Sequence, residues 1–424
     1  MLNLHELSRI GFGCYRMVAS CREHYDALVH ALSLGCNIID TSANYTNGES
    51  ETLIGIALKN NQSYDPFIIS KAGYIQGNNL SVIGKLNEAG LARDDLILMP
   101  DNTMYSVHPD FLKSQLDLSS RRLQRKQIDG FLLHNPEYYF NQEERYISAE
   151  KYYERIKKAF EFLEDMVTEE RIRYYGISSN TFPLATDKRS TTNLRKVLAA
   201  ANEVSENNHF KLIQFPFNLI ETDALEPHHE GVSLVELARA NDVVTFSNRP
   251  LNAKTDAGII RLATYEDDIR QLDGDNVERI FQHCLELINK QLEVLGVSDD
   301  AMEFAVIKLL ESSWMRLGSP EVVTEIFHGH FYPFLNHLYD GPIPQEEMNV
   351  YLKFQQTCYL FSRRTMTKTA LTFRDEMVEK GVIGKDDQRA LPVIACDKYL
   401  NAGIDHVLVG MRSIKYVESL KTLF

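Results

Sequence analysis

The sequence predicts an α/β fold, a (β/α)8 barrel of the TIM type, with an α-helical insertion between its seventh and eighth strands. Three observations predict it. Short apolar runs alternate with helix-length patterns from residue 9 to residue 247, the sign of parallel βα units. The runs are near-continuously apolar, as in strands buried on both faces. The alternation stops after the seventh run and returns for one last βα unit near the C-terminus.

Each strand is four to seven residues, bounded by polar, Gly, Pro or Asn punctuation. The expected strands are RIGFG (9–13), NIID (37–40), FIISK (67–71), IDGFLLH (128–134), RYYGIS (173–178), LIQF (212–215), VVTFS (243–247) and DHVLVG (405–410). The expected helices run over 24–35, stopping at Gly35, then from near Glu49, then over 148–172 with a Ser start, 192–206 and 232–242. ACDKYLNAG (395–403) and a helix from about Ser413 flank the last strand.

The barrel is therefore assigned to residues 1–251 and 391–424, and a mainly helical subdomain to 252–390. Helical patterns there cover 276–296, 301–318 and 348–381. Because the chain leaves and re-enters the barrel, a subdomain is expected and not a separate domain. It is placed to line the pocket, act as a lid or form a dimer contact.

A formal net charge of −14 argues against nucleic acid as a partner, since phosphates need Lys and Arg. Six scattered cysteines without CxxC suggest reduced thiols, not disulfides or a zinc site. No secretory pattern opens the chain, and no apolar run reaches the roughly 18 residues of a membrane span. A cytoplasmic protein that does not engage membranes is expected.

In a parallel barrel the site lies at the C-terminal ends of the strands. Asp40 ends the second strand, with Tyr45 in its loop; Lys71 ends the third and His134 the fourth. Singly, each has an ordinary structural explanation, such as capping or packing. Jointly, adjacent strands place them in one small volume. An ammonium lowers a neighbouring phenol's pKa, a carboxylate holds the ammonium, and an imidazole N–H can position a carbonyl oxygen. Such a set protonates an oxygen as negative charge develops there, as in carbonyl reduction. None of the four supplies a hydride, so a cofactor would bring it. In FHGHFYPFLNHLY (327–339), His328, His330 and His337 read as part of an aromatic patch packing the subdomain against the barrel, in preference to a metal site.

IIDTSANYTNGESETLIGIAL, FIISK, LLHNP, YGISSN and LIQFPFNLIE together resemble, in order, the motifs of the aldo-keto reductases. The resemblance covers about residues 8–251 and 391–424. It implies a catalytic tetrad of Asp40, Tyr45, Lys71 and His134, with Tyr45 the general acid. It also implies that Ser178, Ser179 or Asn180, and Gln214 hold the nicotinamide carboxamide, and that Gly13, Cys14 and Tyr15 lie beside the cofactor along with Asp40. Ser247, Asn248, Arg249 and Leu251 stand where the family's pyrophosphate loop runs, with Asn248 and Arg249 intervening in its usual pattern. Arg249 either contacts a phosphate or caps the barrel rim. Gly410, Arg412, Ser413 and Tyr416 match the segment near the adenosine phosphate, where a guanidinium suits a phosphate dianion and favours NADPH over NADH. The family's following Glu-Asn pair reads Ser419-Leu420 here. The expected activity is reduction of an aldehyde or ketone to an alcohol, or the reverse, on a small-molecule substrate. Two alternatives stand beside it: a non-catalytic, cofactor-sensing regulatory or scaffold protein on the same barrel, and an insertion that docks a protein partner.

Overall fold

The computed structural model describes residues 4–80, 95–99, 103–140, 147–186, 190–255, 258–265, 274–296, 305–339 and 341–424. Eight parallel strands close a barrel: β1 (Ile10–Gly13), β2 (Ile38–Asp40), β3 (Phe67–Ala72), β4 (Ile128–His134), β5 (Ile172–Ser178), β6 (Phe210–Pro216), β7 (Val244–Asn248) and β8 (His406–Val409). They pair in chain order around the ring, and β8 closes it against β1 through Ile10↔Val407 and Phe12↔Val409. The eight-stranded expectation holds, each strand within a few residues of its run.

Local chemistry explains the elements. Helix α1 (Arg22–Ser33) ends just before Gly35, whose φ of 99° turns the chain back toward β2. Helix α2 (Glu49–Asn60) follows the Tyr45 turn, and α3 (Pro109–Leu123) takes Pro at its start and the His108 side chain as its cap. Ser148 caps α4 (Ala149–Thr168) by accepting the Lys151 N–H. That helix stops four residues short of the expected end. Glu170 adopts φ 56°, the Arg171 N–H closes on the Met166 carbonyl, and the chain enters β5. Asn193 caps α5 (Leu194–Val204), and a Ser233–Glu236 capping box opens α6 (Leu234–Ala240).

One feature of the barrel has no counterpart in the sequence reading. Tyr74–Ile75, Met104–Tyr105 and Ile97–Leu98 form a three-stranded antiparallel patch after β3. Two-residue strands leave no periodicity to read. Within the barrel wall Gly176 is obligatory: a Cβ there would stand 1.8 Å from the Leu212 carbonyl oxygen, at a shift of register between β5 and β6.

The described chain divides into two compact units, Met1–Asp256 with Pro392–Phe424, and Ala257–Leu391. The second contains α7 (Gly274–Leu295), α8 (Ala305–Ser313), α9 (Pro320–Ile326), α10 (Tyr332–Leu338) and the 35-residue α11 (Gln345–Glu379). Phe281, Trp314 and Phe354 meet in its core, with Phe281 ring centroids 5.4 Å from Trp314 and 5.0 Å from Phe354. The single helix expected over 301–318 is shorter, with 301–304 outside the described residues. It gives way at Ser313 to a 3-10 turn, where the Ser312 and Ser313 hydroxyls both bond back to the Leu309 carbonyl. Helix α12 (Leu391–Asn401) precedes β8, and α13 (Ile414–Leu420) follows it.

FHGHFYPFLNHLY forms a π-helical turn, Phe327–Phe331, running into α10. Phe327, Phe331 and Leu335 are buried in the core of the helical unit itself, which accounts for the aromatic patch. His328 and His330 are exposed, and His337 Nδ1 bonds the Pro333 carbonyl at 2.7 Å.

Candidate active site

The strand register decides what meets at the barrel mouth. Gly13 pairs with Asp40, Lys71 with Leu132, His134 with Ser178, and Ser178 with Gln214. Beyond the end of β2 the chain keeps running along β3, the Thr41 and Ala43 N–H groups donating to Ile69 and Lys71 carbonyls. The 3-10 turn starting at Tyr45 follows at once. Thr46, Asn47 and Gly48 all have positive φ, and the Thr46 hydroxyl anchors the turn on the Met17 carbonyl at 2.6 Å. A non-glycine pair in the left-handed region is strained and needs such anchoring.

Lys71 is fully buried and its three N–H groups have three acceptors: Asp40 Oδ1 at 2.7 Å, the Thr41 carbonyl at 2.7 Å and Tyr45 Oη at 3.3 Å. The phenol oxygen thus accepts from the ammonium, which leaves its own hydrogen for another acceptor. Burial lowers the Lys71 pKa and the Asp40 carboxylate opposes that fall. Behind the site, Ser70 and Arg122 both donate to the buried Glu51 carboxylate, at 2.6 and 2.7 Å, locking β3 onto α2 and α3.

The Tyr45 phenol corrects one expectation. Burial first, then the Asp40 carboxylate, pushes its pKa well above the ordinary value, although Lys71 is adjacent. Desolvation outweighs the single ammonium, most of whose charge is already matched by Asp40. Tyr45 is half-buried, and at neutral pH it is a protonated donor. His134 is buried, and burial together with Lys71 drives its pKa well below the usual range, so the ring is neutral. Its Nδ1 lies 3.1 Å from the Ser42 hydroxyl, and its ring centroid is 5.9 Å from that of Tyr45. Asp40, Tyr45, Lys71 and His134 therefore meet.

A second chain of buried hydrogen bonds runs into the first. Gln214 Nε2 donates to Asp40 Oδ1 at 2.7 Å, and its Oε1 accepts from the Ser178 hydroxyl at 3.0 Å and from Asn248 Nδ2 at 3.4 Å. Ser247 Oγ and Asn248 Oδ1, at the end of β7, are buried without a partner. Cys14 donates its N–H to the Asp40 carbonyl at 2.9 Å; burial raises its thiol pKa. Tyr15, 62% exposed, sets its ring edge-on to Tyr45 at 5.1 Å. Ser179 is tied to Thr181 and Thr192.

Arg249, with φ 52°, pairs with Glu221 at 2.7 Å, and Leu251 packs on the barrel core. After β8, Gly410 and Arg412 are exposed, Tyr416 is half-buried and the Ser413 hydroxyl makes no capping bond. Among the described residues, no hydrogen bond joins Gly410, Arg412 or Ser413 to Asp40, Tyr45, Lys71 or His134. Three residues absent from the sequence reading also belong to the site. Ser42 contacts His134. Tyr74 sets its ring edge-on to His134 at 4.9 Å and takes a 2.6 Å bond from Asn135. Glu137 binds the Asn180 N–H at 2.8 Å. Only Glu137 left a signal, as a carboxylate in the otherwise apolar and aromatic PEYYF.

A closed parallel barrel that gathers Asp40, Tyr45, Lys71 and His134 at its mouth defines an α/β-barrel protein with a buried polar cluster at the C-terminal ends of its strands. The aldo/keto reductase family model matches residues 9–254, more than half of the sequence, and the chain belongs to that family. It is similar to the uncharacterized oxidoreductase YqkF of Bacillus subtilis, 24% identical over 41% of this chain and 45% of that one. It is also similar to the aldo-keto reductase yakc [NADP(+)] of Schizosaccharomyces pombe, 30% identical over 40% of this chain and 42% of that one. The matches thus span less than half the length of these relatives. Among solved structures, the glycerol dehydrogenase AKR11B4 of Gluconobacter oxydans aligns over 99% of this chain and 86% of its own, at 16% identity and a TM-score of 0.49. No helix among the described residues is long and apolar enough to cross a membrane.

Proposed function

We propose that this protein is an NADPH-dependent oxidoreductase that reduces an aldehyde or ketone to an alcohol, with Tyr45 as the general acid. The observation that carries the reading is the Lys71 ammonium. Its three hydrogens engage Asp40, Thr41 and the Tyr45 oxygen, so the phenol donates its own proton while the ammonium stabilises the phenolate that remains. Asp40 keeps Lys71 charged and oriented. His134, neutral and lodged against Ser42, is positioned to orient the carbonyl oxygen.

The residues present fit a nicotinamide cofactor. Ser178, Gln214 and Asn248 form a buried amide- and hydroxyl-bearing cluster beside Asp40, suited to a carboxamide. The orphaned Ser247 Oγ and Asn248 Oδ1 are polar atoms that a bound group would satisfy. When bound, the cofactor supplies the hydride. Arg412 and Ser413 offer an exposed guanidinium and an unused hydroxyl to a phosphate, which favours NADPH over NADH, and the NADP(+) in the name of the fission-yeast relative agrees with that preference. Arg249, paired with Glu221, serves as a rim cap.

The test is to mix the protein with NADPH and a panel of aldehydes and ketones and follow the absorbance of the reduced cofactor. Falling absorbance that depends on the carbonyl supports the reading. Tight cofactor binding without turnover across the panel transfers the protein to the alternative, a cofactor-sensing regulatory barrel.

A further inference from the structure

Glu137 lies three residues beyond His134, in the 3-10 turn Pro136–Phe140. Its side chain is 6% exposed. Oε1 accepts the Asn180 backbone N–H at 2.8 Å, while Oε2 is buried with no hydrogen-bond partner. Asn180 directly follows Ser178 and Ser179 at the end of β5, so the carboxyl group is bonded to the backbone of the segment proposed to hold the nicotinamide.

The groups that face it do not neutralise it. Tyr74 and Tyr105, from the patch after β3, and Tyr152, from α4, are phenols held protonated by burial and further by the Glu137 charge. Tyr139, in the same turn, is likewise raised, to about 12, by burial. Arg155 on α4 is paired with Asp95 and lies over the Tyr139 ring, and His134 is neutral. Burial lifts the Glu137 carboxyl to about 7, and backbone N–H groups, that of Asn180 among them, offset this only in part. Near neutral pH this is a buried acid that either carries an unpaired negative charge or carries none.

The two oxidation states of a nicotinamide differ by one positive charge on the ring. We infer that Glu137 discriminates between them: as a carboxylate it favours the oxidised, cationic cofactor, and as a carboxylic acid it favours neither. The inference rests on the reading above, in which Ser178, Ser179 and Asn180 seat the nicotinamide. Glu137 acts through charge and through the Asn180 N–H, as a positioning residue, and touches no reacting atom. Linkage then requires binding of the oxidised cofactor to expel a proton from Glu137.

The experiment titrates wild type and Glu137→Gln with NADP+ and with NADPH, by quenching of protein fluorescence, from about pH 5.5 to about pH 8.5. The 2′-phosphate ionises alike in both cofactors, so the ratio of the two affinities isolates the ring charge. In wild type the ratio is expected to move about tenfold toward NADP+ as pH rises, the effect of one unpaired buried charge. In Glu137→Gln, which keeps the acceptor for Asn180 and loses the ionisation, it stays flat. A second measurement needs no variant: calorimetry of the wild type in two buffers of different ionisation enthalpy, near pH 7. NADP+ binding is expected to release more protons than NADPH binding, and equal release overturns the inference. A ratio flat in wild type, or rising equally in the variant, also overturns it while leaving the proposed function intact. Failure of wild type to bind either cofactor overturns the proposed function, and this inference with it.

Discussion

Gln214 reaches across the barrel mouth from β6 and donates its side-chain amide to Asp40 Oδ1 of β2 at 2.7 Å, the same oxygen that receives the Lys71 ammonium. In the ring of eight strands these two lie opposite one another. One carboxylate oxygen therefore joins the residues proposed to seat a cofactor to those proposed to move a proton. Replacing Gln214 with Leu removes one of the two donors and leaves Asp40 under-satisfied. The variant is expected to lose about 1–3 kcal/mol of stability, read as a fall in Tm, and to bind NADPH more weakly. Unchanged values of both would show that the link carries no energy.

Tyr45→Phe removes the donated hydrogen and little else. Turnover is expected to drop by about 10²–10⁴-fold with NADPH affinity nearly unchanged. Parallel measurement of kcat and cofactor Kd separates the two, and a variant as active as wild type rules out Tyr45 as the acid.

Lys71→Met leaves Asp40 buried without its counter-ion. A loss of about 3–5 kcal/mol is expected, because an unpaired buried charge keeps its desolvation cost. Adding Asp40→Asn should recover part of that stability without restoring turnover. Chemical denaturation of the single and double variants distinguishes this from simple loss of packing, in which the second substitution gives no recovery.

Glu137 makes stability depend on pH in a stated direction. Its pKa rises on folding, from an ordinary value of 4.5 to about 7. The folded state therefore binds the proton more tightly. The resulting stabilisation is complete below about pH 4.5 and is lost as pH rises through about 7. Wild type should lose on the order of 2 kcal/mol relative to Glu137→Gln between about pH 5 and about pH 8. Melting curves of both proteins at those two pH values measure it, and parallel behaviour would place the carboxyl at its ordinary pKa.

Gly176→Ala places a methyl group 1.8 Å from the Leu212 carbonyl oxygen. The wall of the barrel must part or the variant must fail to fold, so a loss above about 4 kcal/mol is expected. A soluble variant within about 1 kcal/mol of wild type in denaturant titration would show that the β5–β6 seam relaxes at little cost.

The barrel was legible because its strands are buried on both faces. NIID, FIISK and IDGFLLH have no other use for so much contiguous apolar surface, and Gly35, Ser148 and Ser233 punctuate the helices by local chemistry alone. The patch built from Tyr74–Ile75, Ile97–Leu98 and Met104–Tyr105 was not legible, since two-residue strands carry no period. The Tyr45 phenol is shifted upward by burial, where a neighbouring ammonium alone would shift it downward. Sequence supplies the neighbouring charge, but the depth of burial that outweighs it depends on Tyr15, Tyr74 and other residues brought in from separate loops.

The sequence by itself determined the number and order of the strands and which polar residues end them, because those properties follow from apolar runs and from local caps and turns. Only the tertiary structure decided which partners share a hydrogen bond and which charges go unmatched. Gln214 and Asp40 are 174 residues apart, and Glu137 and Asn180 are 43 apart. Closing the barrel brings them within 3 Å of each other, at a depth where water no longer competes for them.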